Sequence, residues 1–210
     1  MLARGLRGVA LEPACAAAVH KVEQTLARLG HRTEEAYPAA LDELEAPLVW
    51  TKLVAVNLAR AVAECGQHLG RQLGEEDVEP LTFALADRAR AVPATKHLEA
   101  LDAMHAYGRR LSAFFAGDYD LLLSPVQAAP PPRIGELTST VADPLRAMLR
   151  SIPYGLYTLP FNMSGQPAIA LPATRSEHGL PIGVQLVAAY GREDLLLQVA
   201  AQLEGAGGQR

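Results

Sequence analysis

Two short apolar runs near the end of the chain have the pattern of β-strands. The first, 168–171, is apolar at every position, which predicts a buried strand with both faces covered. The second, 182–187, alternates between branched apolar side chains on one face and Gly183 and Gln185 on the other. Residues 176–179 read Ser-Glu-His-Gly, a sequence typical of a turn. The two runs are therefore predicted to be adjacent antiparallel strands at the centre of their sheet.

Longer stretches carry apolar side chains at helical spacing. Helices are predicted over 13–30, 41–69, 75–89, 93–115 and 193–204. Proline stands at or near the start of several of these stretches, and glycine follows several of their ends. The last helix opens with two acidic residues, which suit the positive end of the helix dipole.

Shorter elements fill the remaining segments. Residues 31–36 are a candidate short strand, and 121–123 form a short buried strand closed by Ser-Pro. The three consecutive prolines at 130–132 predict an extended surface loop, because proline donates no backbone hydrogen bond. A helix is predicted over 143–151, followed by a loop that includes residues 160–164 and leads into the strand at 168.

Four sequence features follow one another in the last quarter of the chain: Pro-Phe-Asn at 160–162, Gly-Gln-Pro-Ala at 165–168, Gly-Leu-Pro-Ile-Gly-Val-Gln-Leu at 179–186, and the closing helix ending in Leu-Glu at 203–204. In this order they resemble the C-terminal end of the amidase-signature family. The resemblance implies a large mixed α/β fold and hydrolysis of carboxamide bonds by a Ser–cis-Ser–Lys triad. It also implies that the triad belongs to a Gly- and Ser-rich stretch N-terminal to Met1, which this sequence does not contain.

The predicted fold class is α/β: the C-terminal part of the mixed-sheet amidase-signature fold, rich in helix, with a closing antiparallel strand pair and a C-terminal helix. Residues 1–204 are expected to form a partial amidase-signature domain, with a helical insertion at about 41–116. The glycine-rich residues 205–210 are predicted to be a disordered tail.

The residues expected to bind substrate are Phe161 and Asn162. By the resemblance they lie near the substrate cleft; the alternative is a turn that only feeds the next strand, and the sequence leaves both open. For Ser164 the same two alternatives exist, and we favour the turn, which is a structural role. No catalytic residue is assigned, because the three lysines of the chain lie on predicted helices, and no serine has a Gly-Ser-Ser-Gly or Gly-x-Ser-x-Gly context.

Composition and charge exclude other classes of function. Half of the residues are hydrophobic and the net charge is −4, which argues against nucleic acid or an anionic membrane as a main partner. No uninterrupted apolar run approaches the ~20 residues that span a bilayer. The six histidines form no set with metal-ligand spacing, so neither a metal nor a cofactor is predicted. The two cysteines, Cys15 and Cys65, lie on separate predicted helices, and buried thiols with a cytoplasmic location are expected rather than a disulfide.

Three interpretations follow from these observations. The chain is a C-terminal amidase segment that supplies sheet and cleft wall, a non-catalytic truncated homologue that acts as a scaffold or partner-binding module, or an unrelated small α/β binding domain. The ordered motifs favour the first two. The expected partners are the missing N-terminal half of the fold, a small-molecule amide substrate and a second copy of the chain.

Overall fold

The computed structural model describes residues 1–207, and its contacts divide the chain into two compact units. The first unit contains 1–43, 107–131 and the chain from 153 onward, and the second contains 44–106 and 132–152. The elements found in the described residues are α1 (Pro13–Arg28), a 3-10 turn (Ala39–Asp42), α2 (Ala46–Leu69), α3 (Pro80–Ala89), α4 (Ala94–Phe114), β1 (Leu121–Pro125), α5 (Arg146–Arg150), α6 (Ile152–Gly155), α7 (Leu159–Ser164), β2 (Ala168–Arg175), β3 (Pro181–Ala188) and α8 (Glu193–Gly207).

The first unit is built on one antiparallel sheet of three strands in the order β1-β3-β2. Ile169 of β2 lies opposite Leu186 of β3, and Leu123 of β1 lies opposite the same residue on its other side. The α/β class and the antiparallel pairing of the two C-terminal strands are confirmed. Only β3 is central, however, and β2 is an edge strand in the described part of the chain.

The prediction that the first apolar run has both faces covered is wrong. Exposure alternates along β2: Ala168, Ala170 and Pro172 are exposed, whereas Ile169 and Leu171 pack against the core. Helices α1 and α8 contact β2, and the side chains of Ile169 and Leu171 pack against the cluster that these helices form. An all-apolar sequence cannot distinguish a strand covered on two faces from a strand with one open face.

The core of the first unit lies between the sheet and helices α1 and α8. Ile182, Val184 and Leu186 of β3 are at most 5% exposed and point toward these helices. Their buried helical partners are Cys15, Ala18, Val19, Val22, Leu26, Leu196 and Val199. The apolar faces predicted for the first and last helices are therefore the faces that form the core.

The N-terminal residues are ordered against the sheet. Leu2 is buried and its N–H donates to the carbonyl of Leu123 in β1 at 2.8 Å. Residues 31–36, predicted as a strand, form none; Ala36 N–H donates to the carbonyl of Met1 at 3.2 Å without a ladder on either side. The ammonium group of Met1 also donates to the carbonyl of Glu34, but contacts to one residue form no ladder, so this prediction is wrong.

The second unit is organised by α2, which packs on α3. Ala55 of α2 and Leu85 and Ala89 of α3 form a small buried cluster. Among residues 1–207, α2 is the one helix long and apolar enough to cross a membrane by length and composition, although polar side chains such as Lys52 and Asn57 interrupt it and 22% of its most apolar window is buried within the protein. A core helix that packs on a neighbour passes the same test, so the finding assigns no membrane location.

The acidic run predicted to open the third helix instead forms a turn before α3. Asp77 accepts hydrogen bonds from the guanidinium of Arg71, at 2.6 and 2.7 Å, and from the N–H of Gly74 at 2.8 Å. The helix begins at Pro80, three residues later. The prediction for 75–77 is therefore wrong, because the carboxylate of Asp77 is engaged by the preceding loop.

This turn should make the stability of the chain depend on pH. The Arg71 guanidinium, the Gly74 N–H and the charge of Arg71 lower the pKa of Asp77 from 3.8 to about 2. Because the folded-state pKa lies below the unfolded value, the carboxylate stabilises the fold above pH 3.8, and this contribution is lost as the pH falls through 2. We expect Asp77→Asn to lower the melting temperature at pH 7, and the difference from the wild type to shrink as the pH falls from 3.8 toward 2 and to vanish below it.

Asp87→Asn is the matched control, since Asp87 makes only an exposed ion pair with Arg90 at 3.8 Å. Its melting temperature should follow the wild type across the same pH range. An Asp77→Asn difference that persists unchanged at pH 2 would contradict the assignment.

Four further sequence predictions need correction. Cys15 is buried as expected, but Cys65, also expected to be buried, is exposed. The loop expected over 152–164 contains the short helices α6 and α7, and the helix expected over 143–151 is limited to Arg146–Arg150. Helix α8 continues through Gly207, so residues 205–207 are helical rather than disordered. The rest of the predicted tail, 208–210, lies outside the described residues.

Candidate functional site

Helix α7 carries both residues predicted to bind substrate. Pro160 lies in its first turn, where the fixed φ of proline suits a helix start. Gly165 ends it with φ 76°, in the left-handed region that glycine adopts without strain. The segment is thus a six-residue helix between two local signals, and it leads directly into β2.

The two predicted residues have different environments. The Phe161 side chain is 4% exposed and packs inside the first unit, whereas Asn162 is exposed. Successive helical residues point about 100° apart, so one helix places one of them in the core and the other on the surface. The carboxamide of Asn162 therefore lies on the surface, and the Phe161 ring lies in the core beneath the helix. Substrate contact by either residue stays a prediction.

A buried glutamine fixes the chain where it enters α7. The side-chain amide of Gln185, 3% exposed on β3, donates to the carbonyl of Tyr157 at 2.7 Å and to the hydroxyl of Ser124 at 3.0 Å. The Ser124 hydroxyl donates in turn to the carbonyl of Pro125 at 3.1 Å. One amide therefore links β3, β1 and the segment before α7.

A second buried glutamine fixes the other end of the helix. The hydroxyl of Ser164, 6% exposed, donates to the side-chain carbonyl of Gln166 at 3.1 Å, and the Gln166 amide donates to the carbonyl of Ala188 in β3 at 3.3 Å. A Cβ added at Gly108 would lie 3.5 Å from the Cα of Ser164. These contacts give Ser164 a structural role.

Among the described residues, no serine and lysine are paired as a nucleophile and its base. Ser151 donates to the carbonyl of Met148 at 2.8 Å, Lys21 donates to the carbonyl of Ala173 at 3.0 Å, and Lys96 pairs with Glu99. Across residues 1–207, no hydrogen bond joins a serine hydroxyl to a lysine ammonium. A serine attacks an amide only when a base lies within about 3 Å to take its proton.

A cavity of about 280 Å³ lies in the first unit beside the start of α1. Its lining is mostly apolar and comes from α1, the loop after β1, β2 and β3: Cys15, Val126, Gln127, Ala129, Pro130, Pro131, Ala170, Leu171, Pro172, Pro181, Ile182 and Gly183. Burial raises the pKa of the Cys15 thiol, which keeps it protonated and unreactive. The cavity has the chemistry to take a small aliphatic group, and α7 does not line it.

No metal centre is formed by the described residues. Within 1–207 no group of three or more His, Cys, Asp or Glu side chains is arranged to hold an ion. The ring nitrogen Nδ1 of His97 is buried without a hydrogen-bond partner among these residues.

Sequence reasoning did not identify the two glutamines. The alternation along the strand predicts the face on which Gln185 lies, but it predicts no hydrogen-bond partner for the Gln185 amide. A glutamine in the middle of an apolar strand is the available signal, because a buried amide needs hydrogen-bond partners.

The chain is similar in sequence and structure to several hydrolases and amidases. The 6-aminohexanoate-cyclic-dimer hydrolase of Paenarthrobacter ureafaciens is 41% identical over 202 residues, which cover 94% of this chain and 41% of that protein. A solved structure of 6-aminohexanoate cyclic dimer hydrolase superposes with a TM-score of 0.91 at 40% identity, over 96% of this chain and 44% of the other. The chain therefore spans about two fifths of the length of the relatives it matches.

Two further findings agree with this relationship. A structure described as a vestigial protein complex that reveals the origins of an s-triazine catabolic enzyme superposes with a TM-score of 0.70 at 25% identity, over 94% of this chain and 40% of the other. The family model for amidases matches residues 2–197, nearly the whole described chain. The chain belongs to the amidase family and has the amidase-signature fold.

Proposed function

We propose that this chain is the C-terminal segment of an amidase that hydrolyses a non-peptide carboxamide bond. The observation that carries the proposal is the superposition on 6-aminohexanoate cyclic dimer hydrolase, which extends over almost the entire chain at 40% identity. The cyclic dimer that names this relative is an amide of aliphatic chains. It is the first substrate to test.

In this proposal the chain supplies sheet and cleft wall but not the Ser–cis-Ser–Lys triad. The hydroxyls of Ser124 and Ser164 are buried and bonded to neighbouring carbonyls, so they serve the fold. Asn162 is the residue that meets substrate, because it is exposed on a helix whose two ends are fixed. Its carboxamide matches the donor and acceptor pattern of a neutral amide.

The proposed partner is the N-terminal half of the amidase fold, which carries the triad. The outer edge of β2 pairs with no other strand of the described chain, and its exposed residues are Ala168, Ala170, Pro172 and Arg175. An unpaired strand edge with apolar side chains is a surface that further sheet or another segment covers. A non-catalytic scaffold is the alternative, favoured by the lack of a serine–lysine pair in residues 1–207.

The test is hydrolysis of 6-aminohexanoate cyclic dimer and simple aliphatic and aromatic amides, with fluorophosphonate labelling in parallel. The chain alone should be silent. With the N-terminal half of the Paenarthrobacter relative expressed beside it, turnover should appear, and replacing that half's nucleophilic serine should abolish it.

Asn162→Ala in the assembled pair should raise the KM for the cyclic dimer about tenfold, the loss expected for one hydrogen bond to a neutral group. The control is Gln198→Ala, an exposed position on α8. Labelling of a serine in this chain, with turnover lost on its replacement by alanine, would overturn the division of roles. Stable assembly without turnover would favour the scaffold.

A further inference from the structure

The amide of Gln185 occupies a position that apolar packing does not explain. Its neighbours along β3, Val184 and Leu186, are at most 1% exposed, and the strand is otherwise apolar from 182 to 188. Burying an amide is unfavourable unless its hydrogen bonds are satisfied. Here both donor contacts go to groups outside β3, namely Tyr157 and Ser124.

The acceptor at Tyr157 is itself held in place. The Tyr157 side chain is 1% exposed, and its hydroxyl donates to the carbonyl of Arg4 at 2.7 Å. Burial raises the pKa of Tyr157 to about 12, so the hydroxyl stays protonated and keeps donating at neutral pH. The backbone two residues before α7 is thus fixed from two sides, by a side chain bonded to the N-terminal segment and by a carbonyl bonded to Gln185.

We propose that Gln185 is a positioning residue for substrate binding, which fixes the start of α7 and through it the direction of the Asn162 carboxamide. The inference rests on the proposed function, because it takes an amide as the molecule that Asn162 meets. Gln185 is a positioning residue and not a substrate contact, because its side chain is 3% exposed and its amide is bonded to Ser124 and Tyr157. Its effect is transmitted by the Tyr157 carbonyl, and a shift of about 1 Å in a positioning group is enough to weaken a productive complex many-fold.

The variants are chosen to separate positioning from stability. Gln185→Met keeps the length of the side chain and removes both donors. Val187→Ala is the matched control, because Val187 is fully buried on the same strand and loses packing without losing a hydrogen bond. If Gln185→Met does not fold, Gln185→Asn keeps the amide but withdraws it by one methylene from the Tyr157 carbonyl.

In the assembled pair, Gln185→Met should raise the KM for 6-aminohexanoate cyclic dimer about tenfold, as expected for a lost hydrogen bond. Val187→Ala should change KM less than twofold. In an Asn162→Ala background the effect of Gln185→Met on KM should fall below twofold, since the two residues act in series. An unchanged KM, or an effect that stays tenfold without Asn162, would overturn the proposal.

Hydrogen exchange of the chain is a second measurement, and it needs no turnover. It therefore distinguishes a failure of the proposed function from a failure of the positioning role of Gln185. Gln185→Met should speed amide exchange about tenfold or more at residues 159–164, whereas Val187→Ala should not change these residues selectively. If the assembled pair is inactive but exchange rises at α7 alone, positioning of the helix stands and the substrate assignment fails. Unchanged exchange at α7 would overturn the positioning role itself.

Discussion

Leu186→Ala should destabilise the first unit by roughly 2–5 kcal/mol, the range measured for large-to-small substitutions in protein cores. Leu186 is 1% exposed on the central strand. It lies opposite Leu123 on one side and Ile169 on the other, and its side chain packs toward α1 and α8. Removing three carbons from this position leaves a cavity where both helices meet the sheet, and the close packing around it limits collapse.

The measurement is hydrogen exchange of the β3 amides, which reports opening of the first unit directly. Leu197→Ala is the control, because Leu197 lies on α8 with 64% of its surface exposed and should change stability by less than about 0.5 kcal/mol. A loss below about 1 kcal/mol for Leu186→Ala would show that this strand is not the centre of the core.

The chain expressed by itself should associate. At micromolar concentrations its weight-average mass should exceed the 22.4 kDa of one copy, and it should bind a dye for apolar surface. The physical reason is the outer edge of β2, which is unpaired in the described residues and carries exposed Ala168, Ala170 and Pro172. Unpaired apolar edges add strands from other copies.

Ala170→Lys tests this edge, because a charged side chain on an edge strand opposes pairing with another copy. It should shift the mass distribution toward one copy in light scattering. Ala201→Lys adds the same charge at an exposed position on α8 and should leave the distribution unchanged. A monodisperse single copy with a cooperative melt, for the unmodified chain, would instead identify a self-contained domain.

Self-association of the chain and its assembly with the N-terminal half are expected to compete for the β2 edge. If the β2 edge is a surface that the N-terminal half covers, adding that half should replace association between copies by a one-to-one pair. Ala170→Lys should then weaken both processes. A substitution that abolishes self-association while leaving assembly intact would place the N-terminal half elsewhere on the chain.

Local sequence patterns determined those elements whose start, end and buried face depend only on residues within the element or next to it. Helix α1 begins at Pro13 and buries the apolar face that its spacing indicates, and α8 begins with two acidic residues. The turn at 176–179 defines the pairing of β2 with β3, because a short connection between two apolar runs leaves only the antiparallel arrangement. The ordered C-terminal motifs identified the family, and its model matches residues 2–197.

Tertiary structure decided what depends on residues distant in the sequence. The 168–171 run reads as doubly buried, yet β2 is an edge strand because no other segment of the described chain pairs with it. Residues 31–36 have strand-like composition but only an isolated partner at Met1. Helix α7 buries Phe161 and exposes Asn162. The loop predicted for this segment specified no direction for either side chain. The amide of Gln185 bonds to residues 28 and 61 positions away. No local pattern encodes such contacts, because they exist only after β1, β3 and the start of α7 have packed together.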